Sequence, residues 1–137
     1  VINFFVNRTL AGKALTVYEP GTQARNFVHV KDVAWAYVRS AERLVEQLER
    51  GETGTETYEI ASDEDMSVME VGEIVRKVAL EEHGINVDVE LVENPRSDET
   101  MVDEFSVDIS STKERIGWKT TESIAVSVRE LLEEHRG

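Results

Sequence analysis

The sequence predicts a mixed α/β fold, with helices layered against short strands. Three observations carry this. Apolar residues recur at helical spacing in several separate stretches. Short runs of β-prone residues stand between them. Two Ser-x-x-Glu pairs mark helix starts. At 137 residues the chain suffices for one compact domain, 1–137, with a core of its own. It shows no internal repeat, low-complexity tract or linker.

The elements follow in order. Ile2, Phe5, Val6 and Leu10 share one helical face, and Gly12 ends that helix as its C′ residue. The pattern begins at Val1 with no cap before it, so the expectation is a piece of a longer chain. Leu15 to Tyr18 reads as a short strand. Pro20-Gly21 is a turn, because proline presets φ and glycine is free to take a positive one. Asn26 to Val30 reads as a second strand, and Asp32 as the N-cap of a long helix. That helix carries Ala34, Tyr37, Val38, Ala41, Leu44, Val45 and Leu48 on one face. A polar loop, 51–56, leads to a strand expected over Thr57 to Ala61.

Ser67-Val68-Met69-Glu70 is a capping box, with Met66 and Val71 placed as its hydrophobic staple. The helix it opens runs to Gly84. Val87, Val89 and Leu91 alternate with Asp88 and Glu90, the pattern of a half-exposed strand. Residues 93–107 read as an irregular loop. Ser111 to Glu114 is a second capping box, for a short helix closed by Gly117. A last helix turns Ile124, Ala125, Val128, Leu131 and Leu132 inward. The order is α-β-β-α-β-α-β-α-α, an α/β layered arrangement.

Composition narrows the function. Hydrophobic residues are 40% and charged residues 31%, the balance of a globular chain. No apolar run approaches the roughly 20 residues of a membrane span, and no signal-peptide pattern is present. The absence of cysteine fits a reducing, cytoplasmic setting. A net charge of −13 argues against nucleic acid and against anionic membranes as partners. Its plain meaning is a solvated acidic surface. Its sharper meaning is adaptation to high salt.

No complete catalytic constellation is visible. His29, His83 and His135 lack metal-ligand spacing, so no metal site is expected. There is no G-x-S-x-G, no G-x-G-x-x-G or G-x-x-G-x-x-G, and no Tyr-x-x-x-Lys. Two arginines stand out. Arg25 precedes a short apolar run, and Arg96 follows Pro95 with Asp98 and Glu99 just beyond. An arginine fork can hold a diphosphate bidentately, and a neighbouring carboxylate can accept from ribose hydroxyls. The bland alternative for both is a surface ion pair.

Three blocks, in order, resemble one family. "LTVYEPGTQARNFVHVKDVAWA" resembles a strand, a turn and an R-D-F-I/V-H-V-x-D-V/L-A signature. "ETYEIASDEDMSVMEVGEIV" resembles F-N-I/L-G followed by S-V-x-E-L. "PRSDETMVDEFSVDISSTKERIGWKT" resembles R-x-G-D/E, then A-D-I/T-S-K, then L-G-W-x-P. The family is the extended short-chain dehydrogenase/reductases: NAD-dependent nucleotide-sugar epimerases and dehydratases, typified by UDP-glucose 4-epimerase. The likeness is to its C-terminal, substrate-binding portion. Asn26 stands where the family usually has Asp, and Ala61 where it has Gly.

The resemblance implies roles. Arg25 and Arg96 would grip the nucleotide diphosphate, and Glu99 would hold the ribose. Thr16, Val17 and Tyr18 would lie against a uracil or thymine base, with Phe27 beside the ribose. His29, Val30 and Asp32 would be structural. The family's NAD loop and catalytic Tyr-x-x-x-Lys lie N-terminal to everything present here. The chain is therefore expected to hold no cofactor and to be inactive alone, with NAD bound by the parent enzyme. Its expected partners are a UDP- or TDP-sugar, the missing N-terminal NAD-binding domain, and, through an orphan strand over Thr57 to Ala61, a second copy of itself. The competing expectation is a free-standing acidic interaction module without a ligand.

Overall fold

The computed structural model describes residues 1–95 and 106–135. Among them the elements are α1 (Ile2–Leu10), β1 (Leu15–Tyr18), β2 (Ala24–Asn26), α2 (Val30–Glu49), β3 (Asp65–Ser67), α3 (Val68–His83), β4 (Val89–Val92), α4 (Ser110–Ile116) and α5 (Ile124–Glu134). The strands form two small ladders. β1 and β4 run parallel, with Leu15 opposite Val89 and Tyr18 opposite Val92. β2 and β3 run antiparallel, with Arg25 opposite Met66.

The main core lies where α1, α3 and α5 cover β1. Phe5, Val6, Leu15, Val17, Val71, Val75, Val128 and Leu132 are all at most 1% exposed. Burying such side chains stabilises by about 1.5–3 kcal/mol each. A second cluster gathers Ala36, Ala61, Ile109, Ile116 and Trp118. The Trp118 indole donates to the Asp32 carbonyl at 2.8 Å, which joins α2 to the end of α4.

Several local expectations hold. α1 stops at Leu10 with Gly12 at φ 64° beyond it. The Ser67–Glu70 capping box forms in both directions, and Met66 and Val71 share the main core. α3 ends on Gly84, left-handed at φ 65°. Ile124, Val128 and Leu132 of α5 are buried.

Others need correction. The second strand is not Asn26–Val30 but Ala24–Asn26, and Val30 already belongs to α2. His29, not Asp32, caps α2: its Nδ1 accepts from the Lys31 amide at 3.0 Å. Asp32 is instead a buried tether. Its carboxylate accepts from the Thr121 amide and hydroxyl and from the Glu122 amide, at 2.7–3.1 Å. The Ser111–Glu114 box does not form, because Asp108 starts that helix by accepting from the Ser110 amide at 2.9 Å and places Ser111 inside α4. The fourth strand begins two residues later than its alternation indicates, at Val89.

The third strand is a different segment from the one expected. Thr57 to Ala61 pairs with no strand among the described residues, whereas Asp65–Ser67 pairs with β2. β-propensity needs a neighbour with free backbone groups. What ties the 57–61 segment is α4, where the Thr112 hydroxyl donates to the Glu59 carbonyl at 2.8 Å. Asn26 ties the next turn. Its amide donates to the Ser62 carbonyl and the Asp65 carboxylate, and its Oδ1 accepts from the Ser62 amide. An aspartate there could accept but not donate.

α2 reverses the usual orientation. Its buried residues are Asp32 and Ala36, while Tyr37, Val38, Leu44, Val45 and Leu48 are 45–76% exposed. Its polar side does the internal bonding. Arg39 donates to the Ile116 carbonyl at 2.8 Å. Arg43 donates to Glu56 at 3.0 and 3.3 Å, and the Tyr58 hydroxyl donates to the same carboxylate. Arg43 first, then Tyr58, hold the Glu56 carboxyl down at about 2.

Candidate functional site

A cleft of about 360 Å³ opens where β1, the 19–25 turn and α1 meet. The sequence builds it from the turn outward. Gly21 sits at φ 80°, and a Cβ there would come within 3.0 Å of the Leu91 side chain. Only glycine lets the chain pass so closely over β4. The turn is then pinned to the start of α3: the Met69 amide donates to the Gly21 carbonyl and the Val68 amide to the Gln23 carbonyl, both at 3.1 Å. These bonds satisfy helix-start donors that have no partner within the helix. They also fix Gln23 and Arg25 beside β1.

Thr16, Val17, Tyr18 and Arg25 all line this cleft. Four of the seven residues read from the sequence are thus brought together. Tyr18 and Phe4 present half-exposed aromatic rings. Val17 forms part of the buried floor. The Arg25 side chain is exposed and its Nη1 donates to the Ala24 carbonyl at 2.9 Å. Among the described residues no carboxylate pairs with it. Arg39, Arg43, Arg76 and Arg129, by contrast, each pair with a glutamate. An arginine without a carboxylate partner among the described residues can meet an anionic ligand, and Arg8, the other such arginine, is turned instead to the Ala14 carbonyl and the Phe4 ring.

Phe27 is not in this cleft. It packs partly buried against the main core and lines a separate cavity of about 550 Å³, with His29, Lys31 and Glu130. Arg96 and Glu99 lie outside the described residues. His29 and Lys31 both contact Glu130, at 3.1 and 2.6 Å, so they serve the α2–α5 junction. No group of three His, Cys, Asp or Glu side chains among the described residues is placed to hold a metal ion. No helix among them is long and apolar enough to cross a membrane.

The residue the sequence reading missed is Gln23, which also lines the cleft and is 7% exposed. Its spacing was the available signal. Gln23 and Arg25 are two apart, which puts side chains on one side of an extended chain.

Residues 1–61 match the "NAD dependent epimerase/dehydratase family". Over that stretch the chain resembles this family. UDP-glucuronic acid decarboxylase 6 of Arabidopsis thaliana is 31% identical over 119 residues, which are 87% of this chain and 30% of that protein. The UDP-N-acetylglucosamine 4-epimerase of Bacillus cereus superposes on 99% of this chain with 42% of its own, at TM-score 0.75 and 24% identity. That of Methanobrevibacter ruminantium, solved with UDP-N-acetylmuramic acid, covers 99% of this chain with 39% of its own, at TM-score 0.74 and 25% identity. The chain spans about 30% of the length of the curated relatives it matches. The mixed α/β fold is that of these enzymes.

Proposed function

We propose that this chain is the nucleotide-sugar-binding portion of an NAD-dependent epimerase or dehydratase, UDP-glucose 4-epimerase-like in kind. Arg25 grips the diphosphate, and Thr16, Val17 and Tyr18 line the base. Arg96 and Glu99 complete the clamp and the ribose contact. The observation that carries this is Arg25 itself: a guanidinium with no carboxylate partner among the described residues, on a cleft with aromatic walls. The substrate is a UDP- or TDP-sugar, and the setting is cytoplasmic, with the acidic surface adapted to high salt.

The parent enzyme takes NAD, in keeping with the family's description. The residues here do not fit that group. Positive-φ glycines at 12, 51, 84 and 117 follow helix ends, Gly21 forms the turn after β1 and Gly54 lies in the loop after α2, so among the described residues none makes a glycine-rich passage from a strand into a helix. No catalytic step is assigned to this chain. Its protein partner is the NAD-binding portion, and the exposed apolar face of α2, with the unpaired segment 57–60 beside it, is the surface that portion covers. Without that cover, the same face pairs two copies of the chain.

The test is ligand binding. UDP titrated into the isotope-labelled chain should shift the amide resonances of residues 16–18 and 23–25 at about millimolar concentration, near −4 kcal/mol. Arg25→Ala removes a charge-assisted contact of about 1.5–3 kcal/mol, so the affinity should fall about 10- to 100-fold and the shifts should disappear. In the parent enzyme, Arg25→Ala and Arg96→Ala should each weaken UDP-sugar binding by that factor and leave NAD binding unchanged. An unchanged dissociation constant for Arg25→Ala would refute the clamp.

A further inference from the structure

Arg25 is placed by its backbone. Its side chain bonds within its own strand, to the Ala24 carbonyl, so where the guanidinium stands depends on where β2 stands. Among the described residues, β2 pairs with β3 alone. At the front of β2, the Gln23 carbonyl accepts from the Val68 amide. At its rear stands Asn26, whose side chain leaves the strand on the side opposite to that of Arg25. The Asn26 amide reaches the 62–65 turn. Its Nδ2 donates to the Ser62 carbonyl at 2.8 Å and to the Asp65 carboxylate at 2.7 Å, and its Oδ1 accepts from the Ser62 amide at 2.9 Å. A carbonyl and a carboxylate accept while an amide N–H donates, so the Asn26 amide can face only one way. The turn is itself anchored. The Glu64 amide donates to the Ser62 hydroxyl at 3.2 Å, and the Glu64 carboxylate accepts from the Ile124 amide, at the start of α5, at 3.0 Å.

We propose that Asn26 is a positioning residue for Arg25: its amide pins β2 to the 62–65 turn and so keeps the guanidinium on the cleft, where it meets a diphosphate. This rests on the cleft being the nucleotide site proposed above. Asn26 acts as half of a matched pair. Residues 26 and 65 stand directly opposite each other across β2 and β3. An aspartate at 26 would set one carboxylate against another and against the Ser62 carbonyl, and like charges directly opposed destabilise a strand pair. The end of β2 would then part from the turn and carry Arg25 with it. An asparagine at 65 would restore the match, with donor and acceptor exchanged. The residue needed at 26 is therefore set by the residue at 65, and the phosphate contact depends on both.

The experiment titrates UDP and uridine into the unaltered chain and its variants, followed by the amide resonances of residues 16–18 and 23–25. In Asn26→Asp, UDP should bind about fivefold more weakly, because part of a charge-assisted contact is lost. Uridine carries no phosphate, so its affinity should stay within about twofold of that for the unaltered chain. In the double variant, Asn26→Asp with Asp65→Asn, UDP binding should return to within about twofold of the unaltered chain. Unchanged UDP binding in Asn26→Asp overturns the proposal and leaves the diphosphate clamp standing. Equal weakening of UDP and uridine also overturns it, because the whole cleft is then disturbed and not Arg25 alone. If uridine gives no shifts, or Asn26→Asp does not fold, the double variant decides: UDP binding that fails to return overturns the proposal. No binding of UDP to the unaltered chain overturns the nucleotide site and the positioning with it.

Discussion

Asp32 shows how one side chain can be legible in kind and misplaced in role. Its position before an apolar-faced helix points to an N-cap, but His29 takes that duty and Asp32 turns inward, 2% exposed. Burial acts to raise its carboxyl. The Thr121 hydroxyl, the Glu122 and Thr121 amides and nearby His29 act to lower it, and the net shift is downward. A carboxylate held below its ordinary range stabilises the fold above its unfolded pKa near 4, and that contribution is lost as pH falls through the folded value. Glu56, held to about 2, follows the same sign. Asp32→Ala leaves the Thr121 and Glu122 amides without a partner and should cost about 3 kcal/mol, while Asp32→Asn should cost roughly half of that. Denaturant unfolding at pH 7 and pH 3 measures both. The gap between the unaltered chain and Asp32→Ala should narrow at pH 3, and a gap independent of pH would remove the ionised tether.

α2 is where element-level expectation and packing part. Its periodicity marks a strong apolar stripe, yet that stripe faces out and the opposite side bonds through Arg39 and Arg43. Monomeric surfaces rarely expose so continuous an apolar patch without a partner. In the isolated chain this face should drive self-association. Leu44→Glu with Leu48→Glu should shift the chain toward monomer in sedimentation or light scattering. Both residues are more than half exposed, so the fold should be altered by only about 0.5 kcal/mol per site. A dimer that persists in the double variant would place the contact elsewhere, and a monomer in the unaltered chain at high concentration would remove it. The segment Thr57 to Ala61 belongs to the same lesson. It carries strand-forming residues and lies beside α2, but such residues form a strand only with a partner.

At the scale of the whole molecule, 28 acidic residues against 15 basic ones set the electrostatics. Many carboxylates meet arginines in surface pairs, including Arg76–Glu73 and Arg129–Glu82, and such pairs contribute little each. The unpaired remainder repels itself most strongly at low ionic strength, where the Debye length is about 30 Å at 0.01 M. The melting temperature should therefore rise with KCl into the molar range. A flat or falling curve leaves an ordinary acidic surface and removes the high-salt adaptation.

Local chemistry was written in the sequence. The bounds of β1, the Ser67 capping box, the glycine stops after α1, α3 and α4, and the inward face of α5 depend on neighbours a few residues away, and they stand as the spacing indicates. Thr16, Val17, Tyr18 and Arg25 line one cleft because a strand and the turn after it lie close together. Tertiary structure alone decided the rest. Whether Thr57 to Ala61 or Asp65 to Ser67 became the third strand depended on which could reach the free edge of β2. Whether the α2 stripe was buried depended on what packs against it. Whether Phe27 joined the cleft, and whether Gln23 was buried in its wall, depended on contacts between segments distant in sequence. Periodicity reports which residues would gain by leaving water, whereas only the assembled chain supplies the surface they leave it for.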